Sequence, residues 1–467
     1  MQSNLQPVID TPRDFESARR TLLEQVEHWL RTGQAPESGV LVRLEAPFQG
    51  EDVLRWLAGQ NHPRKLYWSD RTQRRQVAGL GEAWTLEASH PDSCSAMLKE
   101  LRTLLDSVNP AVRCFGGMRF DANAIVAPEW QDWQVGRFVI PQIAVEAERG
   151  EATLVANVLR GTVTEEQSAL LALRQRLHTL HSEEPGTPAE IPGVERRVDH
   201  PDQAGWFGQV VSGLESIRRG PLRKVVLARS AEFTLERTVD PIHLLWQLRK
   251  QAPQTFHFCF QLEAHQAFLG ITPERLYRRE HQRIESEALA GTRIRGLTVE
   301  EDAQLARELR ESHKEQREHE MVLEHLEAML PEFCQHSERL SHLEPLALRH
   351  VQHLRSRIHG TLRPGISDAE LLPAFHPTPA ISGTPNEAAL ASIRELESFD
   401  RGWYAGPVGW VSRDAAEFAV GLRAGLLTER TLRVYTGAGI VDGSVPEEEW
   451  DEVESKMRTW LSLLKQA

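Results

Sequence analysis

Residues 14–31 carry Leu22, Leu23, Val26, Trp29 and Leu30 at spacings of three and four and are followed by Gly33, the pattern of an amphipathic helix with a glycine stop. The pattern then changes character repeatedly. Short apolar runs at 39–44, 65–68 and 76–80 predict strands, and helical spacing at 52–57 and 95–108 predicts helices between and after them. The stretch 114–120, CFGGMRF, sets a Gly-Gly pair inside an apolar run, which predicts a bulge or a close backbone approach. Runs at 137–147 and 152–159 predict adjacent strands turning at Arg149 and Gly150, and a helix at 165–181 ends this part of the chain.

Residues 182–203 contain Pro185, Gly186, Pro188, Pro192, Gly193 and Pro201 with almost no apolar periodicity, so they read as a linker between an N-terminal half, 1–181, and a C-terminal half, 204–467. The second half predicts a helix at 204–219, a strand at 224–228, a helix at 241–251, and a hairpin of 255–261 with 267–271. One long charged helix follows at 299–330, then a strand at 349–362, an irregular loop at 376–385 and a helix at 386–397. Three strands, 403–411, 417–426 and 431–441, precede a last helix at 446–466. Strands come in runs with long helices between them, which predicts an α+β layered sandwich of antiparallel sheets with flanking helices. No repeat of fixed period interrupts the chain.

Composition narrows the partners. The 467 residues carry a formal net charge of −13 with both signs interspersed and no basic stripe, against nucleic acid and against an anionic membrane surface. Small molecules or proteins remain as partners. Cys94, Cys114, Cys259 and Cys334 lie far apart without a CxxC pair, which suits reduced thiols. The N-terminal stretch has no apolar signal region and no window approaches a membrane-spanning apolar run, so the expectation is a cytoplasmic protein.

Candidate chemistry gathers in the second half. In GAGIVDGSVPEEEWDEVESK, at 437–456, a glycine-bearing strand runs straight into a helix start. Ser444 and Glu447 have the capping-box spacing, Pro446 suits a first turn, and Glu449 and Glu452 project from one helical face with Lys456 a turn further on. Such a strand end and carboxylate pair can hold a ligand carboxylate beside a hard cation, although an acidic first turn also serves simply to complement the helix dipole. Lys224 opens an apolar strand, where desolvation turns a lysine into a general base unless it snorkels to solvent. Glu274, in GITPER, stands at a strand end where an acid can stay protonated, or else pair with Arg275 on the surface. In EALAGTRIRG, Gly291 and Thr292 can bring amides and a hydroxyl against an anion. Glu315 and Glu318 repeat the spacing of Glu449 and Glu452, so two helices each offer a carboxylate pair to one Mg²⁺ ion, with a solvated charged face as the ordinary alternative. His319 and His325 are six apart and do not form a zinc-protease motif.

The ordered motifs KVVLAR, GITPERL, EALAGTR, KEQREHEMV, VQHL, HPTPAISGTP, YAGPVGW, GLRAG and GAGIVDGSVPEEEWDE resemble the chorismate-utilising enzymes, with the isochorismate synthases the most similar branch. The resemblance covers about residues 204–466 densely and the first half chiefly through CFGGMRF. It implies a large fold of two halves built on antiparallel sheets and a Mg²⁺-dependent reaction on chorismate. Lys224 then corresponds to the base that activates water for attack at ring carbon C2, and Glu274 to the acid that protonates the departing C4 hydroxyl. Glu318 and Glu452 match direct Mg²⁺ ligands, with Glu315 and Glu449 in or near the same shell. Tyr404, Arg423 and the amides of Gly437, Ala438 and Gly439 resemble the groups that hold substrate carboxylates, as do Gly291 and Thr292. His353 falls near the ring, and Lys456 is a further contact for an anionic group.

Anthranilate synthases usually carry glutamine where Lys224 stands, and aminodeoxychorismate synthases often carry a lysine where this chain has Ala290. The resemblance therefore implies water as nucleophile, with no obligatory glutamine amidotransferase subunit. Salicylate synthase, which shares the lysine and goes on to expel pyruvate, is the alternative. A menaquinone pathway is the expected destination of the product, with a siderophore pathway as the other.

Overall fold

The N-terminal helix shows how closely local signals set the elements. In the computed structural model, which describes residues 14–50, 52–182, 190–341, 343–347 and 351–465, helix Phe15–Thr32 starts where Asp14 accepts from Ser17 N at 2.7 Å. It ends at Gly33, φ +66°, and buries Ala18, Leu22, Val26 and Trp29 against strand Leu41–Phe48 and helix Val163–Thr179. The N-terminal stretch 1–13, the Pro185–Pro188 part of the expected linker, the start of the strand expected at 349 and the last residue of the final helix expected at 466 lie outside the described residues.

Twenty strands are joined by ladders that are antiparallel throughout the described residues. Strands Gly136–Glu148 and Glu151–Leu159 form the expected hairpin, with Arg149 and Gly150 at positive φ. Strand Gly136–Glu148 is also where the sheet branches. One side pairs with Arg75–Ala88 along its length, while the other pairs first with Cys114–Met118 and then with Glu151–Leu159. From Arg75–Ala88 one run continues through Lys65–Ser69, Phe256–Glu263, Gln266–Thr272, Ala424–Thr428 and Thr431–Val441 to Lys224–Leu235. From Cys114–Met118 the other continues through Pro407–Val411, Ala415–Val420, Arg275–Glu280 and Arg283–Ile294 to Val351–Leu362. Phe115, Phe258, Phe268 and Phe418, drawn from both runs, share one buried cluster with Phe138 and Trp403. A second cluster fills the space between the first run, together with strands Leu41–Phe48 and Glu151–Leu159, and the helices Phe15–Thr32, Val163–Thr179, Pro241–Gln251 and Pro446–Leu463. Both runs mix strands from the two ends of the chain.

Five expectations need correction. The strand expected at 403–411 runs only over Pro407–Val411, because Trp403–Ala405 form a turn with Ala405 at φ +61°. The helix expected at 299–330 is two, Val299–Glu311 and His313–Phe333, because Ser312 leaves helical geometry and caps the second through Glu315 N at 3.5 Å. Part of the expected linker, Val194–His200, is a strand paired with Lys224–Leu235. The strand expected at 417–426 is broken at Gly421–Arg423 into Ala415–Val420 and Ala424–Thr428, with Arg423 at φ +47°. No capping box starts the last helix: it begins at Pro446 after Val445, and Ser444 Oγ instead accepts from Val441 N at 3.2 Å, closing the turn.

Candidate active site

Strand Thr431–Val441 pairs along its whole length with Lys224–Leu235, placing Gly437 opposite Ala228, Gly439 opposite Val226 and Val441 opposite Lys224. Its other neighbour, Ala424–Thr428, reaches only to Val434. Beyond that point one backbone edge is free of a ladder, and it borders a cleft enclosing about 810 Å³, its open mouth included. Glu274, Gly291, Thr292, Glu318, His353, Tyr404, Arg423, Gly437, Gly439, Glu452 and Lys456 all line this cleft, so most of the expected site residues meet in one place. Ala438 does not line it. Period-two alternation turns its methyl into the core, 1 % exposed.

Lys224 lies behind that edge, fully buried, with Nζ 2.9 Å from Glu318 Oε1. Gly439 is the residue that lets the two meet, because a Cβ there would stand 2.6 Å from Glu318 Oε1 and 2.9 Å from Lys224 Cε. Burial alone would push the Glu318 carboxyl up, but the charge and hydrogen bond of Lys224, with Lys456 and Lys314, outweigh it and bring it below the usual carboxylate value. Glu315 accepts from Thr292 N at 3.2 Å, and burial together with Glu318 and Glu452 raises its carboxyl to about 7. Gly291, at φ +77°, allows this approach.

The four glutamates do not close into a ligand cluster as they stand: among the described residues no three His, Cys, Asp or Glu groups form one. Lysines stand between them. Lys456 Nζ is 2.7 Å from Glu452 Oε1 and 2.9 Å from Gly437 O. Lys314 Nζ is 2.8 Å from Glu449 Oε1, while Glu449 Oε2 is buried without a hydrogen-bond partner among the described residues. Burial and Glu452 both raise the Glu449 carboxyl. The donor set is all carboxylate, mutually repelling and partly orphaned, which fits a hard divalent cation.

Across the cleft Glu274 is 7 % exposed, and burial, then the neighbouring charge of Glu287, push its carboxyl up to about 8 against the pull of Lys224, Lys456 and Arg71. At neutral pH it holds a proton. Arg423 Nη2 is 3.0 Å from His353 Nε2. A guanidinium only donates, so Nε2 accepts and the imidazole proton sits on Nδ1, which faces Gly291 O and Thr292 Oγ1, both at 3.2 Å. Burial, then the charges of Arg423 and Lys456, hold His353 well below its ordinary value, keeping it neutral. Burial likewise lowers Arg423 to about 10, and no carboxylate pairs with it among the described residues. Tyr404 stacks on Tyr435 with ring centres 5.2 Å apart.

Three contributors escaped the sequence reading. Arg401 lines the cleft while held by Glu397 and the carbonyls of Val226 and Ile381. Lys314 reads in sequence as a plain partner of its acidic helix neighbours. Arg71, from the first half, reaches Glu287 and Pro273 O. In DRTQRRQ nothing separates Arg71 from surface arginines; the charge alternation of Lys314–Glu315 was the only available hint for the lysine.

This cleft and the antiparallel fold around it define a ligand-binding enzyme of one family: the chain belongs to the chorismate binding enzymes, whose family model matches residues 24–465. It is 32% identical to isochorismate synthase 2, chloroplastic, of Arabidopsis thaliana, covering 93% of this chain and 83% of that protein. It is 33% identical to isochorismate synthase MenF of Haemophilus influenzae, covering 91% of each. Among solved structures, that of the menaquinone-specific isochorismate synthase MenF of Escherichia coli superposes with a TM-score of 0.82 at 29% identity, over 95% of this chain and 100% of the other.

Proposed function

We propose that this protein is an isochorismate synthase, an isomerase that adds water at C2 of chorismate and expels the C4 hydroxyl. The observation that carries the reading is the opposition, across one cleft, of a protonated buried carboxyl, Glu274, and a half-buried arginine, Arg423, that has no carboxylate partner among the described residues. A partly desolvated cation that lines a cleft without a counter-charge favours an anionic ligand. A dianionic ring substrate meets that need, and a held proton opposite it serves a leaving hydroxyl.

In this reading Arg423, Tyr404, Thr292 and the free strand edge at Gly437–Gly439 orient the substrate carboxylates. Neutral His353 fixes the Arg423 guanidinium through Nε2. Lys224 takes a proton from water as its oxygen bonds to C2; both ring double bonds shift, C1=C2 to C1=C6 and C5=C6 to C4=C5, the C4–O bond breaks, and Glu274 gives its proton to the departing oxygen. One water enters and one leaves. Glu318 and Glu452, with Glu315 and Glu449 close by, would hold Mg²⁺, which would supply positive charge against the substrate carboxylates. Water, not ammonia, is the nucleophile, so no amidotransferase subunit is needed.

The likeness to the menaquinone-specific enzyme over most of both chains favours menaquinone biosynthesis as the destination. Among the described residues no helix is long and apolar enough to cross a membrane, and all four cysteines are free; both suit a cytoplasmic enzyme. Incubating the protein with chorismate and Mg²⁺ and separating the products tests the reading. Isochorismate is expected; salicylate with pyruvate would replace it by salicylate synthase, and no turnover would refute both.

A further inference from the structure

Glu274 is gripped on both flanks by one ion pair that spans the two halves of the chain. Arg71 follows strand Lys65–Ser69, and its guanidinium forks onto Glu287, Nη1 to Oε1 at 2.7 Å and Nη2 to Oε2 at 2.8 Å. The same Nη1 donates to the Pro273 carbonyl at 3.0 Å. Glu287 Oε1 in turn accepts from the Arg275 N–H at 3.1 Å. Pro273 and Arg275 are the residues immediately before and after Glu274. The pair is desolvated, with side-chain exposures of 12% and 1%, and Arg71 lies over the Phe256 ring at 5.2 Å. A bidentate arginine–carboxylate pair in such surroundings is geometrically stiff. The guanidinium of Arg275 is committed elsewhere, to Glu417 at 2.8 Å.

We propose that Arg71 and Glu287 are positioning residues for Glu274: the pair fixes the backbone on either side of that carboxyl and sets the charge behind it. The N-terminal half thereby supplies part of the proton-donating apparatus. The proposal rests on the reading of Glu274 as proton donor to chorismate. The charged and titratable groups facing Glu274 are Glu287, Arg71, Lys224 from the strand bordering the cleft, Lys456 from the last helix, and Tyr404. Of these, Lys224 and Tyr404 are assigned to the reacting water and the substrate and Lys456 is held by Glu452 in the cleft wall, whereas Arg71 and Glu287 stand outside the residues that line the cleft.

Removing either partner disturbs the geometry equally but the charge oppositely. Arg71→Ala removes the largest counter-charge of Glu287 beside Glu274 and favours the protonated acid; Glu287→Gln removes that anion and favours the ionised form. With chorismate as substrate, both variants are expected to lower kcat by about tenfold or more with KM within about threefold, since misplacement of a catalytic group falls on kcat. The alkaline limb of the kcat/KM profile moves to higher pH in Arg71→Ala and to lower pH in Glu287→Gln. Arg71→Lys, which keeps the charge and loses the fork, falls between wild type and Arg71→Ala in kcat. A merely structural brace would lower the active fraction and leave the limb unmoved; unmoved limbs in both variants, or unchanged kcat, overturn the proposal. Glu287→Gln keeps the shape and the acceptor for Arg275 N, so it decides the matter should Arg71→Ala not fold. A wild-type protein inert toward chorismate overturns the functional reading and this role with it, whereas an active wild type with unmoved limbs overturns the clamp alone.

Discussion

Replacing Glu274 by glutamine should abolish turnover and at the same time stabilise the fold, by an amount that grows with pH. The carboxyl is raised from 4.5 to about 8 by burial and Glu287. Between those values the unfolded chain has released this proton while the folded protein still holds it, so stability falls as pH rises. At 1.36 kcal/mol per unit, the cost to the wild-type fold is about 1 kcal/mol at pH 5 and about 4 kcal/mol at pH 8, a difference of about 3 kcal/mol. Glutamine keeps the shape and cannot ionise, so the variant escapes that difference. For a chain of 467 residues the unfolding entropy is on the order of 1 kcal/mol per kelvin, which makes the expected gain in Tm about 3 °C larger at pH 8 than at pH 5. Parallel thermal melts of both proteins across this pH range measure it, and shifts common to both proteins, such as that from Glu315, cancel in the comparison. A Tm difference that stays constant with pH would refute the claim that Glu274 is held protonated in the folded protein. In the active wild type, kcat/KM should fall about tenfold per pH unit above about pH 8, as the acid loses its proton.

Further outcomes follow from the other side of the cleft. Lys224→Gln should reduce turnover by about a thousandfold, within the usual range for a lost general base, with unchanged circular dichroism; retained activity would remove Lys224 from the mechanism. Gly439→Ala inserts a methyl 2.6 Å from Glu318 Oε1 and 2.9 Å from Lys224 Cε, and should lower kcat about a hundredfold at a stability cost of about 1–3 kcal/mol; normal kcat would show that these two side chains need not meet there. Glu452→Gln should raise the Mg²⁺ concentration needed for half-maximal activity, and an unchanged metal titration would place the cation elsewhere.

Much of this site was legible because its residues stand in short local patterns: a lysine opening an apolar strand, an acid after a proline, carboxylates three apart on helices. The antiparallel layering was legible for the same reason, from runs of alternating strands. What failed were features decided by competition between neighbours. Ser312 and Ser444 both looked able to continue or cap a helix. The structure uses Ser312 to start a new helix, so that Glu315 falls in a first turn beside Thr292, and uses Ser444 to close the turn before Pro446. Arg423 was read inside a continuous strand, yet its left-handed backbone breaks that strand at the cleft wall. Arg71 shows the largest gap: its sequence neighbourhood is ordinary, and its significance comes from a ladder between residues 65–69 and 257–261 that periodicity does not reveal.

The central claim is that water, activated at Lys224, supplies the new hydroxyl while the original one departs from C4. Running the reaction in water labelled with heavy oxygen, with chorismate and Mg²⁺, and weighing the isochorismate by mass spectrometry tests it most directly. The account predicts one solvent oxygen in the product, located at C2. Isochorismate formed without label would mean that the hydroxyl migrates within the substrate, and would contradict it.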